Sequence, residues 1–103
     1  GQIVQDADRL DALGAIGTAR AFYYGGSKKH LIYDDTRPRQ AEDITEENYR
    51  EQNSVVNHFY EKLLRLKDSM NTEKGRQLAE HRTDFMKQFL EELFGEIQTV
   101  DED

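Results

Sequence analysis

A single proline, Pro38, interrupts the 103 residues. On either side of it apolar side chains recur at the three- and four-residue spacing of an α-helix. This constrains the chain most, because proline is the residue a helix interior tolerates least. Leu, Ala, Glu, Lys, Gln and Arg, all good helix formers, fill much of the rest. Apolar material is scarce: Leu, Ile, Val and Phe number 23 of 103, just above the range in which a charged chain stays disordered. The pattern predicts one small-cored, all-α domain.

The periodicity divides the chain into four stretches. Residues 3 to about 24 read as one helix with two small or apolar stripes. One runs through Ile3, Ala7, Leu10, Gly14, Gly17, Ala21 and Tyr24, the other through Val4, Asp8, Ala12, Ala15, Ala19 and Phe22. A helix of that kind is expected to be buried on both faces, ending at Gly25-Gly26. Residues 25–53 read as a long loop with an apolar knot at Leu31-Ile32-Tyr33 and room for a short helix capped by Thr45. From Ser54, an expected N-cap, Val56, Phe59, Leu63, Leu66 and Met70 form a stripe over about 54–70. Thr72 and Glu73 restart a helix over about 73–97, with Leu78, Phe85, Met86, Phe89, Leu90, Leu93, Phe94 and Ile97 apolar. The last two helices are expected to lie antiparallel across a short turn.

Charge and composition exclude several functions. Fourteen basic against twenty-one acidic residues give a net charge of −7, which repels a nucleic-acid backbone or an anionic membrane surface. With no cysteine, disulfides and thiolate chemistry are excluded. No apolar run reaches the length of a membrane span and no leader pattern is found, so a soluble, cytoplasmic domain is expected.

One residue stands out. Asp8 sits on the second small-residue stripe, with Val4 and Ala12 a turn to either side and no cation at helical spacing. Asp6, by contrast, has Arg9 three residues on, an ordinary surface pair. A carboxylate on a buried face needs a positive partner. A divalent cation is one, and an arginine such as Arg20 or Arg37 is another; a structural ion pair or a solvated edge satisfies the same pattern. His58 and Lys62, one turn apart, can face a common ligand. His30 reads as a solvated loop residue and His81 as surface, and none of the three histidines has a recognised metal-binding spacing. Lys28, Lys29, Arg37 and Arg39 make a locally basic loop, countered by Asp34, Asp35 and Glu42. The Phe85, Phe89 and Phe94 stripe reads as core.

The run from Ile3 through Gln5-Asp6-Ala7-Asp8-Arg9-Leu10-Asp11-Ala12-Leu13 to Gly17 resembles the C-terminal part of the HD-superfamily phosphohydrolases, most closely their small bacterial one-domain branch. Asn57 to Asp68, Met70-Asn71-Thr72, Tyr24-Gly25-Gly26 and Ile32-Tyr33-Asp34 are similar to the same branch, so the resemblance spans nearly the whole chain. It implies the helical HD-domain fold, C-terminal part only. It also implies a hydrolase that holds a divalent metal ion (manganese, magnesium, iron, nickel or zinc) through a histidine, a His-Asp doublet and a distant aspartate. That aspartate matches Asp8, with Asp6 the fallback. Arg9 and Asp11 then become candidates for pairing behind the metal, and His58, Lys62 and Arg20 for substrate phosphates. The implied partner is a phosphorylated small molecule, a nucleotide. Nucleic acid and membrane are not implied.

The chain departs from that pattern in one respect: His30, His58 and His81 precede Leu31, Phe59 and Arg82, so no His-Asp doublet occurs. The expectation is a chain inactive alone, carrying the last ligand of the set. It would pair with an upstream HD-domain segment, or else act as a non-catalytic helical module that self-associates.

Overall fold

The computed structural model describes residues 1–34 and 54–102, with side chains up to 98. Within them run α1 (Gln2–Leu10), α2 (Gly14–Ser27), α3 (Val55–Glu61), a 3-10 segment (Leu63–Ser69) and α4 (Glu73–Glu102). The described residues are helical with no strand, as the periodicity requires. The expected loop helix near Thr45, and the basic residues Arg37 and Arg39, lie outside the described residues.

α4 is the spine. Its buried stripe is Ala79, Thr83, Met86 and Leu90, a three-and-four alternation that keeps one line along the helix. Leu78 and Phe85 lie one position before members of that line, and both are exposed; their expected place in the core is corrected to its flank. Phe89, Leu93 and Phe94 are half-buried against the core.

α1 and α2 lie end to end along α4. Leu10 accepts a hydrogen bond through its carbonyl from Arg82 at 2.8 Å, and further on the Phe22 and Phe89 rings lie 5.6 Å apart. The 3-24 stretch is therefore two helices, not one. Leu13 takes an extended conformation and drives its side chain into the core, leaving 1% exposed. Gly14 then turns with φ +73, a region a side chain enters only with strain. The corner is tight: a Cβ at Gly17 would strike the backbone of Ala12. Gly25 and Gly26 do not stop α2, which runs on to Ser27.

α3 closes the core from the other side. Phe59 is fully buried, with its ring 5.7 Å from Phe22 and 6.4 Å from Phe89, so one aromatic cluster joins three helices. Ser54 caps α3 as expected, accepting from the Asn57 N–H at 3.1 Å. The carbonyls of Leu31 and Ile32 take the next two free donors, from Val55 and Val56 at 2.9 and 3.0 Å. The side chains of the apolar knot stay largely exposed, however. Beyond α3 the predicted helix tightens into the 3-10 segment, which returns to the start of α4 through Met70. With Phe59 beside Phe89 and Met70 beside the α4 N-terminus, this arm runs antiparallel to α4.

Candidate functional site

The two aspartates of α1 have opposite fates. Asp6 is 3% exposed and points at the N-terminus of α4. Its Oδ1 accepts from the Asn71 backbone N–H at 2.8 Å and from Asn71 Nδ2 at 3.2 Å. Its Oδ2 accepts from the Thr72 N–H at 2.8 Å and the Thr72 hydroxyl at 2.6 Å. Arg9 Nη1 stands 3.8 Å away, enclosed and without a hydrogen bond of its own. The Thr72 hydroxyl bond and the Asn71 N–H hold the Asp6 carboxyl below the usual carboxylate range, against the opposing effect of burial. Thr72 Oγ1 meanwhile accepts from the Gly75 N–H at 3.0 Å, the expected cap of α4. The carboxylate comes so close that a Cβ at Gly75 would collide with Asp6 Oδ2. Asp6 is thus a clamp of a helix N-terminus; it keeps the pairing with Arg9 that spacing suggested, at 3.8 Å, but buried rather than on the surface.

Asp8 lies two positions on, about 160° around the helix from Asp6 at 100° per residue. It faces outward and is exposed. The sequence reading placed it on a buried face; the correction follows from the clamp, since fixing Asp6 against α4 turns Asp8 to the opposite side. No hydrogen bond or ion pair among the described residues engages it. Its nearest clamps are on either side along α1, Asp6 at one end and the Leu10 carbonyl, bound to Arg82, at the other.

The other candidates fall in two places. Arg9 pairs with Asp6 rather than Asp8. Asp11 is exposed, and its backbone carbonyl accepts from Arg20 Nη1 at 3.3 Å. His58 and Lys62 stand elsewhere. His58 belongs with Phe59, at the level of Phe89, whereas α1 ends at the level of Arg82. The stretch of α4 between Arg82 and Phe89 measures roughly 10 Å along its axis. His58 is held below the usual imidazole range, first by desolvation of its ring and then by the Lys62 charge, with Glu61 opposing and His30 adding to the effect. Lys62 is thus near enough for its charge to bear on His58. Beside His30, the Tyr24 ring meets the imidazole edge-on at 6.4 Å and holds Lys28 Nζ at 5.8 Å.

No three His, Asp or Glu side chains converge as a metal site among the described residues. Asp8 offers an exposed carboxylate, a hard oxygen donor of the kind divalent ions accept, and the remaining ligands would have to come from outside the described residues. A groove of about 540 Å³ opens between the α3 arm and α4, lined by Tyr60, Leu64, Asp84, Lys87, Glu91 and Phe94 among others; it includes none of the predicted site residues. Sequence reasoning missed Asn71 and Arg82, whose roles depend on contacts 65 and 72 residues away. Asn71 is marked only as part of the Met70-Asn71-Thr72 match, with no role, and no local signal marks Arg82.

No family model matches the chain. The helical fold has close counterparts among solved structures. An HD-superfamily hydrolase of Bacillus thuringiensis is 52% identical over 94% of the chain, with a TM-score of 0.75. The chain belongs to the HD superfamily. More particularly, it is similar to a Lactobacillus plantarum protein (47% identical over 95% of the chain, TM-score 0.88) and to Bacillus subtilis YpgQ, solved in complex with ADP (44% identical, TM-score 0.75). By sequence it is 46% identical to YpgQ, an uncharacterized protein, over 101 residues. The chain spans less than half the length of these relatives, 42% of YpgQ by sequence and 45–46% of the three solved chains.

Proposed function

We propose that this chain is the C-terminal portion of an HD domain that hydrolyses a phosphorylated substrate, a nucleotide, with a divalent metal ion. Asp8 is its contribution to the metal site. The observation that carries the reading is the outward carboxylate: Asp8 is exposed, unpaired among the described residues and held between two fixed points on a helix that otherwise clings to α4. A bound divalent ion would activate water and polarise a phosphoryl oxygen. The chain's own residues do the positioning. Asp6 and Arg82 fix α1, and Arg20 ties α2 to the end of α1 through the Asp11 carbonyl. His58 and Lys62 form a separate basic pair suited to a phosphate farther along the substrate. The ADP complex of YpgQ supports a nucleotide as the ligand class.

By itself the chain is expected to be inactive, since one carboxylate makes no tight metal site. The test is a manganese titration by calorimetry together with a nucleotide hydrolysis assay, on the chain alone and on the chain completed with the remaining portion of a relative's HD domain. The completed protein should bind manganese at micromolar concentrations and turn over. Asp8→Asn should abolish both while helical content is unchanged. Unchanged turnover in Asp8→Asn would remove Asp8 from the site.

A further inference from the structure

The groove between the α3 arm and α4 stands apart from every candidate site residue. Its floor is Leu90, buried to 2%. Its walls carry Leu64 from the 3-10 segment, the half-exposed Tyr60 ring and Phe94. Tyr33 meets Phe94 edge-on at 5.7 Å and adds a third aromatic ring on that side. Asp84, Lys87, Gln88 and Glu91 also line the groove, and all four are exposed. Asp84, Lys87, Glu91 and Phe94 follow one another at three- and four-residue steps. One stripe of α4 therefore borders the groove for about 15 Å, nearly three helical turns. An apolar floor of that length between charged margins has the form that receives the apolar face of a short helix.

We propose that this groove docks a basic amphipathic helix of a partner protein. Charge selects the occupant. From Asp84 to the end of α4 stand six acidic residues against Lys87 alone, which accounts for five of the seven net negative charges of the chain. A second copy is disfavoured, because two such faces would set Asp84 and Glu91 against like charges. The chain's own residues 35–53 match the groove poorly in sequence: they hold six acidic and three basic residues, with Ile44 and Tyr49 as their large apolar side chains. A helix with leucines on one side and lysines or arginines on its flanks satisfies floor and margins together, since the long basic stems lie along apolar surface while their charged ends meet the carboxylates.

The test is a fluorescence-anisotropy titration of the 103-residue chain against a synthetic amphipathic helix of about 15 residues, with leucines on one face and lysines on its flanks. The peptide should bind at micromolar concentrations, and more weakly as salt is raised. Asp84→Lys with Glu91→Lys should weaken binding roughly tenfold or more. Glu92→Lys with Glu96→Lys changes the net charge equally but away from the groove, and should weaken it little. All four side chains are exposed, so both double variants should keep the helical content of the parent. A peptide with serines in place of the leucines should not bind. No binding, equal weakening by the two pairs, or binding of the serine peptide would overturn the proposal, the last two because the attraction would then belong to any acidic chain. Sedimentation showing the chain alone as a dimer that Asp84→Lys with Glu91→Lys dissociates would give the groove to a second copy. The peptide should also bind a folded full-length chimera in which this chain replaces the matching portion of the Lactobacillus plantarum protein. Binding to the chain but not to that chimera would likewise overturn the proposal, since the groove would be covered within the domain itself.

Discussion

Two carboxylates two residues apart, in one short helix, carry different work. Asp6 is consumed by structure, with both oxygens committed to Asn71 and Thr72, and Asp8 is left free. Asp6→Asn removes an acceptor from four converging donors and should lower the melting temperature of the 103-residue chain clearly, whereas Asp8→Asn should leave it nearly unchanged. The same clamp sets an acid response. The folded pKa of Asp6 lies below the usual 3.8, so its stabilisation is fully present above about that value and is lost as pH falls through the lower folded one. His58 contributes earlier: its folded pKa lies below the usual 6.5, so the unfolded chain takes up a proton first and stability begins to decline as pH drops past that value. Acid denaturation followed by circular dichroism should therefore be displaced upward in pH by Asp6→Asn. Thr83 is a residue-scale defect of another kind, fully buried with a hydroxyl that finds no partner among the described residues. Thr83→Val keeps the shape and removes the unmet bond, and should stabilise the chain by about 1 kcal/mol in urea.

At the scale of elements, the stripes that pack against each other within the chain were readable. Val56, Phe59, Leu63 and Met70 are buried as their spacing requires, and Ser54 and Thr72 cap the helices they precede. The break between α1 and α2 was not readable, because Leu10, Leu13, Gly14 and Gly17 suit a continuous helix as well as a corner. What decides is Arg82, whose guanidinium captures the Leu10 carbonyl while its stem lies over Gly14, a contact no local pattern carries. Gly14→Ala should cost about 1–2 kcal/mol from the left-handed backbone alone, and somewhat more because Arg82 Cγ stands 3.1 Å from where the new methyl would sit. Urea denaturation would measure it. Asp8 would need a partner on a buried face, but as an exposed carboxylate it does not; its proposed role comes from the resemblance. Its exposure was not legible, since the periodicity that made its stripe look buried does not say which body covers it.

At the scale of the whole molecule, attachment is uneven. α2, α3 and α4 share an aromatic cluster, while α1 buries Asp6 and Leu10 and otherwise holds on through hydrogen bonds such as Gln5 to Asn71 and the Leu10 carbonyl to Arg82. Nine residues are too few for a helix to persist unaided, so α1 depends on polar bonds that water can replace. Native-state amide exchange should show it: protons of α1 trade with solvent through local opening, well before those of α4 between Ala79 and Leu90, which require global unfolding. Equal protection would mean that α1 belongs to the same cooperative unit. A segment that breathes in this way while bearing Asp8 makes the carboxylate's geometry a matter of occupancy in time. Anything that rests on the outer side of α1 slows its opening and sharpens the position of Asp8.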